Sequence, residues 1–185
     1  MKTPFLDRAT LRELARIAFP MVVSQGAFAV MMFTDRFFMS RLDATHIAAS
    51  LGGGVAAFFT TALFIGTIAY ANALVAQYQG AGRWDKCSRV VSQGLLMSVA
   101  CMPLIGLLAW AVGDIFGWMG HDARQAELET RYFYILVAGS FFTLAKTCLA
   151  CFFAGIGQTR VVMVCDVAGV LLNVLISWVL ILVST

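Results

Sequence analysis

Five long apolar runs dominate this 185-residue sequence. They cover residues 17–39, 47–78, 90–112, 132–156 and 161–183. Because a helix rises 1.5 Å per residue, each run is long enough to cross the ~30 Å hydrocarbon core of a bilayer. The side chains are 61% hydrophobic and 12% charged, which leaves too few charged groups to cover a water-soluble globule. We therefore expect an all-α polytopic membrane protein, with about five transmembrane helices in a single transmembrane domain over residues 1–185.

The polar segments around these runs are short and leave no room for an extramembrane catalytic domain. Residues 1–16 predict an interfacial segment, and the run that follows is longer than the 7–15 apolar residues of a cleaved signal peptide. Four polar turns separate the runs, at residues 41–45, 79–88, 113–130 and 155–160. Since the spans contain no nucleophile–base pair and no metal triad, we expect no enzymatic activity.

Lysine and arginine residues divide unevenly between the two sides of the membrane. Eight fall on the side of the N-terminus: Lys2, Arg8, Arg12, Arg16, Arg83, Lys86, Arg89 and Arg160. Three fall on the opposite side: Arg41, Arg124 and Arg131. The positive-inside rule therefore predicts a cytoplasmic N-terminus. With basic residues this sparse, we expect no nucleic-acid partner.

The cysteines and histidines do not form a metal or redox framework. Cys148 and Cys151 share one helix face, but no second cysteine pair or nearby histidine completes a site, so we interpret them as packing residues. His46 and His121 fall in two separate outer turns. We therefore expect no structural or catalytic metal.

Four ionisable residues lie within the apolar runs: Asp35, Arg36, Lys146 and Asp166. Charge inside hydrocarbon is costly, so each of them is a functional candidate. Lys146 and Asp166 lie at similar depths near the inner ends of the fourth and fifth spans. We predict a structural ion pair between them, with proton transfer as the alternative role.

Asp35 lies about 27 Å along the first helix from Ile17, in the outer half of the bilayer. Ser24, Phe28 and Met31 share its helix face, whereas Arg36 points elsewhere and can extend towards the interface. One interpretation is a helix-end aspartate that reaches the interface. The other is a protonatable or cation-binding carboxylate that faces a cavity.

Three uncharged polar residues lie at a depth comparable to that of Asp35. Asn173 and Ser177 share one face of the fifth span, and Tyr132 begins the fourth. Their oxygens could surround Na⁺ or relay a proton, and each could instead serve packing and interhelical hydrogen bonding. The glycines at 52–54 are typical of helices that approach one another closely.

Three motifs together resemble the multidrug and toxic-compound extrusion (MATE) transporters and are NorM-like. They are LARIAFPMVVSQGAFAVMMFTDRFFMSR at residues 14–41, VAQYQGAGR at 75–83 and FFAGIGQTRVVM at 152–163, with Asn173 following at the expected distance. The resemblance covers nearly the whole chain, and it implies the amino-terminal part of such a transporter.

The resemblance also implies a role for individual residues. Asp35 matches the family's coupling carboxylate on the first helix, with Tyr132, Asn173 and Ser177 as its supporting polar cluster and a possible Na⁺ site at Asp35 and Asn173. Ser177 stands where many relatives carry Asp or Asn, so this sequence departs from a two-carboxylate site. The residues expected to face the substrate are Gln25, Phe28 and Met31.

The family fold implies twelve helices in two six-helix lobes, of which this sequence supplies five. The sixth helix and the second lobe, which alternating access requires, are the expected missing parts. The implied function is efflux of cationic amphipathic drugs in exchange for Na⁺ or protons, in the plasma membrane or bacterial inner membrane and without a cofactor. The alternatives are a lipid-precursor flippase and a truncated, non-transporting fragment that acts as a helical interaction module.

Overall fold

A computed structural model describes residues 8–40 and 43–184 of the chain. Lys2 and Arg41 of the charge comparison, and the first part of the predicted interfacial segment, lie outside these ranges. In chain order the helices are α1 (Arg8–Met39), α2 (Ala44–Ala69), α3 (Ala71–Gly80), α4 (Trp84–Ala100), α5 (Met102–Gly113), α6 (Ile115–Trp118), α7 (Ala123–Ala138), α8 (Ser140–Gly155) and α9 (Thr159–Ser184). The all-α prediction is confirmed across the described ranges.

Among the described residues, four helical stretches are long and apolar enough to cross a membrane: Thr10–Met39, Ala44–Gly80, Trp84–Trp118 and Thr159–Leu180. A fifth is obtained when the bent pair α7 and α8 is taken as one span. The chain divides into two compact units. Unit 1 comprises Met1–Phe38 and Gly157–Thr185, and unit 2 comprises Met39–Ile156.

Unit 1 contains α1 and α9, which meet near one end. Gly157 adopts a φ of +75° ahead of α9, a left-handed conformation that glycine accommodates without steric cost. The Thr159 hydroxyl then donates a hydrogen bond to the Ile17 carbonyl at 3.3 Å. Pro20 lies inside α1 and has no amide hydrogen to donate to the Arg16 carbonyl, an interruption that membrane helices tolerate.

Two helical connections in unit 2 occur at residues that permit a change of direction. α7 and α8 bend by 44° at Gly139 and Ser140, a residue pair that commonly kinks helices. Between α4 and α5, Pro103 lies in the first turn of α5, where its missing N–H costs least. The α7–α8 span is therefore bent, and the Trp84–Trp118 span contains consecutive helices.

Unit 2 is held together by α2 packing on α7 and by α3 packing on both α4 and α8. One buried cluster contains Phe133 of α7, Ile105 of α5 and Leu144 of α8, all fully buried. A second cluster surrounds Val75 and Cys87. Burial of these side chains supports the unit mainly through close packing, since lipid tails are as apolar as the core itself.

The helices extend further than the apolar runs that predicted them. The largest difference is the expected polar turn at 113–130, where the structure places α6 and the first half of α7. Asp122 supplies the reason, because its carboxylate accepts a hydrogen bond from the Arg124 amide at 3.3 Å and caps α7. The polar residues of this segment are therefore largely helical.

Candidate functional site

The predicted coupling residue Asp35 lies on the more covered face of α1. Ser24 is buried on this face, and both Met31 and Asp35 are half-buried. Gln25 and Phe28 are exposed, with Phe28 at 52%. Of the four residues predicted to share this face, Ser24, Met31 and Asp35 are thus buried or half-buried, whereas Phe28 is exposed.

Asn173 and Ser177 lie one turn apart on α9, and both are half-buried. The Oδ1 atom of Asn173 is buried and has no hydrogen-bond partner within the described ranges. The same is true of the Ser24 hydroxyl on α1. Buried polar atoms without partners are rare because desolvation is costly, so these two oxygens are candidates for binding an ion or water.

The hydrogen bond from Thr159 to Ile17 sets the relative levels of the polar residues in unit 1. As the predicted first and fifth spans, α1 and α9 are expected to cross in the same direction. Asp35 is 18 residues beyond Ile17 and Ser177 is 18 residues beyond Thr159, which is about 27 Å of helix in each case. This spacing agrees with similar depths for Asp35 and Ser177, which stay a prediction.

Tyr132 belongs to unit 2, where it is half-buried on α7. It lines a groove of about 230 Å³ together with Met39, His46, Ala49, Ser50, Leu128, Arg131 and Ile135. Its ring lies close to α2, since a Cβ atom added to Gly53 would be 3.0 Å from its Cδ1 atom. The grouping of Tyr132 with Asp35, Asn173 and Ser177 stays a prediction.

Lys146 and Asp166 occupy different units. Lys146 is exposed on α8 in unit 2, and Asp166 is half-buried in the first half of α9 in unit 1. The structural ion pair between them also stays a prediction.

A buried polar cluster around Glu129 in unit 2 was not predicted from the sequence. Glu129 is 1% exposed, although it carries a carboxylate. The Gln125 amide donates a hydrogen bond to its Oε1 atom at 2.9 Å, and the His121 Nδ1 atom lies 3.0 Å from its Oε2 atom. These contacts satisfy both carboxylate oxygens inside the helical bundle.

The glycines of α2 make room for this cluster. A Cβ atom added to Gly52 would lie 2.7 Å from Glu129 Oε1, and one added to Gly53 would lie 2.8 Å from the Glu129 carbonyl oxygen. The predicted close approach of helices at residues 52–54 is therefore correct, and its partner is α7. A usable sequence signal was the i, i+4 spacing of Gln125 and Glu129, together with His121 a further turn away.

The cysteine pair behaves as the packing interpretation predicted. The Cys148 thiol donates to the Val91 carbonyl, and the Cys151 thiol donates to the Ala69 carbonyl, each at 3.6 Å. The two sulfur atoms thus contact different helices and do not converge. Among the described residues, no group of three or more His, Cys, Asp or Glu side chains could hold a metal ion.

Asp43 is an exposed carboxylate outside the spans, immediately before α2. The backbone N–H of Thr45 is the main factor that lowers the pKa of Asp43, and Arg124 acts in the same direction. A charged group there suits the start of a helix, where the dipole favours an anion.

Comparisons with known proteins agree on one family. The profile of the MatE family matches residues 20–179. Multidrug resistance protein PmpM of Pseudomonas aeruginosa is 30% identical over 94% of this chain and 37% of its own length. Multidrug resistance protein MdtK of Klebsiella pneumoniae is 29% identical over 92% of this chain, and a probable multidrug resistance protein NorM of Synechococcus is 28% identical over 90%.

The chain spans 36–37% of the length of these curated relatives. No solved structure matches it.

Proposed function

We propose a function for this chain from the premise that it belongs to the MatE family. The chain is the amino-terminal part of a multidrug efflux transporter that exports cationic amphipathic compounds. The inward movement of Na⁺ or protons drives this export. The transporter lies in the plasma membrane, which in bacteria is the inner membrane. Its activity is transport and not catalysis.

The observation that carries this proposal is the set of polar groups in unit 1 at the depth of Asp35. Polar groups on a lipid-exposed helix are unfavourable, because each one reduces the free energy gained when the helix transfers into hydrocarbon. The Asn173 amide oxygen is buried and lacks a hydrogen-bond partner among the described residues. The rise of an α-helix predicts Ser177 at the level of Asp35. Oxygen atoms from carboxylate, amide and hydroxyl groups are the ligands that Na⁺ prefers, and a carboxylate can equally bind a proton.

In this mechanism Asp35 is the coupling carboxylate, and Asn173, Ser177 and Tyr132 support it. Binding of the coupling ion neutralises Asp35 and removes its attraction for a cationic substrate. Ion entry and drug release are linked in this way, because one carboxylate cannot satisfy both cations at once. Gln25, Phe28 and Met31 supply the polar and apolar surface for an amphipathic compound.

The complete transporter requires a second lobe. Alternating access needs one helical bundle to move against another around a shared site. The matched relatives are about two and a half times as long as this chain, which leaves room for such a lobe. We therefore propose that the 185-residue chain alone does not transport.

A chimera tests this function. Residues 1–185 replace the segment of PmpM that they match, and ethidium efflux is measured in cells that lack their own efflux pumps. We expect efflux from the chimera and none from the 185-residue chain at equal membrane abundance. Efflux by the chain alone would contradict the need for a second lobe, and an inactive chimera at the abundance of PmpM would contradict the assignment.

A flippase for lipid-linked precursors is the second candidate. A specific comparison separates the two: the chimera is assayed with ethidium and with a fluorescent lipid-linked precursor in the same vesicles. Movement of the lipid without movement of the dye would favour the flippase.

A further inference from the structure

Three arginines border a groove at the end of unit 1 that is predicted to be cytoplasmic. Arg12 and Arg16 lie one turn apart on α1, and Arg160 lies in the first turn of α9. All three side chains are exposed. Arg16 and Arg160 line two adjoining cavities of about 410 and 970 Å³, and Arg12 lines the larger of the two. The groove thus concentrates positive charge from two helices.

Within the described ranges, none of these arginines forms an ion pair. The salt bridge found there joins His121 to Glu129 in unit 2. Like charges at i, i+4 positions of a helix repel each other, and Arg160 adds a third positive charge. The groove therefore has a positive potential that favours an anionic ligand.

The depth of the groove indicates the kind of anion. Arg16 directly precedes the first apolar run, and Arg160 directly precedes the fifth. The hydrogen bond from Thr159 to Ile17 holds both helices at this level, which is where the headgroups of a bilayer begin. Positive charge at this depth faces lipid phosphates.

The lower part of the groove is apolar. Phe19, Pro20 and Met163 line the larger cavity next to the arginines, and Phe19 is 68% exposed. A soluble anion would contact the basic part alone. A phospholipid would use both parts, with its phosphate beside the guanidinium groups and its acyl chain along the apolar side chains.

We propose that this groove binds an anionic glycerophospholipid from the leaflet on the same side. Arg12, Arg16 and Arg160 contact the phosphate oxygens, a geometry that the planar guanidinium group matches well. Phe19 and Met163 contact the first part of an acyl chain. Basic pockets between membrane helices on the cytoplasmic side are a recognised way to hold such lipids.

The test measures lipid binding to the purified 185-residue chain by native mass spectrometry, with phosphatidylglycerol and phosphatidylcholine as probes. The groove variant carries Arg12→Gln, Arg16→Gln and Arg160→Gln. The control variant carries Arg83→Gln, Lys86→Gln and Arg89→Gln, which removes the same charge from the same predicted side in unit 2. Glu13, whose side chain lies outside the described part of the chain, is unchanged in both.

We expect the groove variant to bind phosphatidylglycerol at least about tenfold more weakly than the unmodified chain, and the control variant to lose less than twofold. Equal losses in the two variants would overturn the proposal, as would equal affinity for the two lipids. Displacement of the lipid by millimolar inorganic phosphate would show a site for a soluble anion and would also overturn it. Should the groove variant not fold, Arg160→Gln alone is used, with at least a threefold loss expected.

Discussion

Glu129 shows how a carboxylate is accommodated inside the helical bundle. Its oxygens contact Gln125 and His121, and Gly52 of α2 leaves space beside them. Glu129 and its two polar partners lie on or just before α7, so the cluster is largely local in sequence. The burial of the cluster, however, depends on α2, which packs closely against Glu129 and contributes no polar side chain to the cluster.

Replacement of Glu129 by alanine is expected to destabilise unit 2. The Gln125 amide and the His121 ring would lose an acceptor at a buried position, which costs roughly 1.5–3 kcal/mol for hydrogen bonds to a charged group. Glu127→Ala is the control, because Glu127 is exposed on the same helix and its loss should cost less than about 0.5 kcal/mol. Thermal unfolding in lipid nanodiscs measures both variants, and equal midpoints would contradict a stabilising role for the cluster.

At the element scale, α2 packs closely against α7 at its glycines. Gly53 lies against the Glu129 carbonyl and the Tyr132 ring, so a methyl group there has no space. Small residues allow such approaches in membrane bundles, where dispersion contacts replace the hydrophobic effect as the source of stability.

Gly53→Ala is expected to force α2 and α7 apart and to lower stability by about 1–3 kcal/mol, the usual cost of overpacking. Gly66→Ala is the matched control on the same helix, since nothing lies within 4 Å of a Cβ atom added there. Alanine is also the better helix former, so the control should be neutral or slightly stabilised. A thermal midpoint that falls equally in both variants would contradict a specific role for the α2–α7 interface, because no neighbouring atom opposes a methyl group at Gly66.

For the whole molecule, the orientation predicted from the basic residues can be tested with alkaline phosphatase fusions, which are active only outside the cytoplasm. We expect an active enzyme when it is fused after His121 and an inactive enzyme when it is fused after Arg83. The reverse pattern would contradict a cytoplasmic N-terminus, and with it the side assigned to the arginine groove.

The helical class and the approximate spans could be predicted from the sequence because apolar length alone determines what crosses a bilayer. The helix ends could not be predicted, because polar residues such as Asp122 cap helices that extend beyond the apolar runs. Glu129 was missed for a different reason. Its burial arises from a contact with Gly52, 77 positions earlier, and the spacing of residues along one segment does not report such contacts.

The central claim is that Asp35 couples an ion gradient to drug export, and one flux measurement tests it most directly. The chimera with PmpM is reconstituted in vesicles, and dye movement is followed under an imposed Na⁺ or proton gradient for the parent, for Asp35→Asn and for Asp43→Asn. Asp43 is the control because its carboxylate is exposed outside the spans. We predict that Asp35→Asn abolishes gradient-driven flux at normal abundance while Asp43→Asn retains it; undiminished flux in Asp35→Asn would contradict the account.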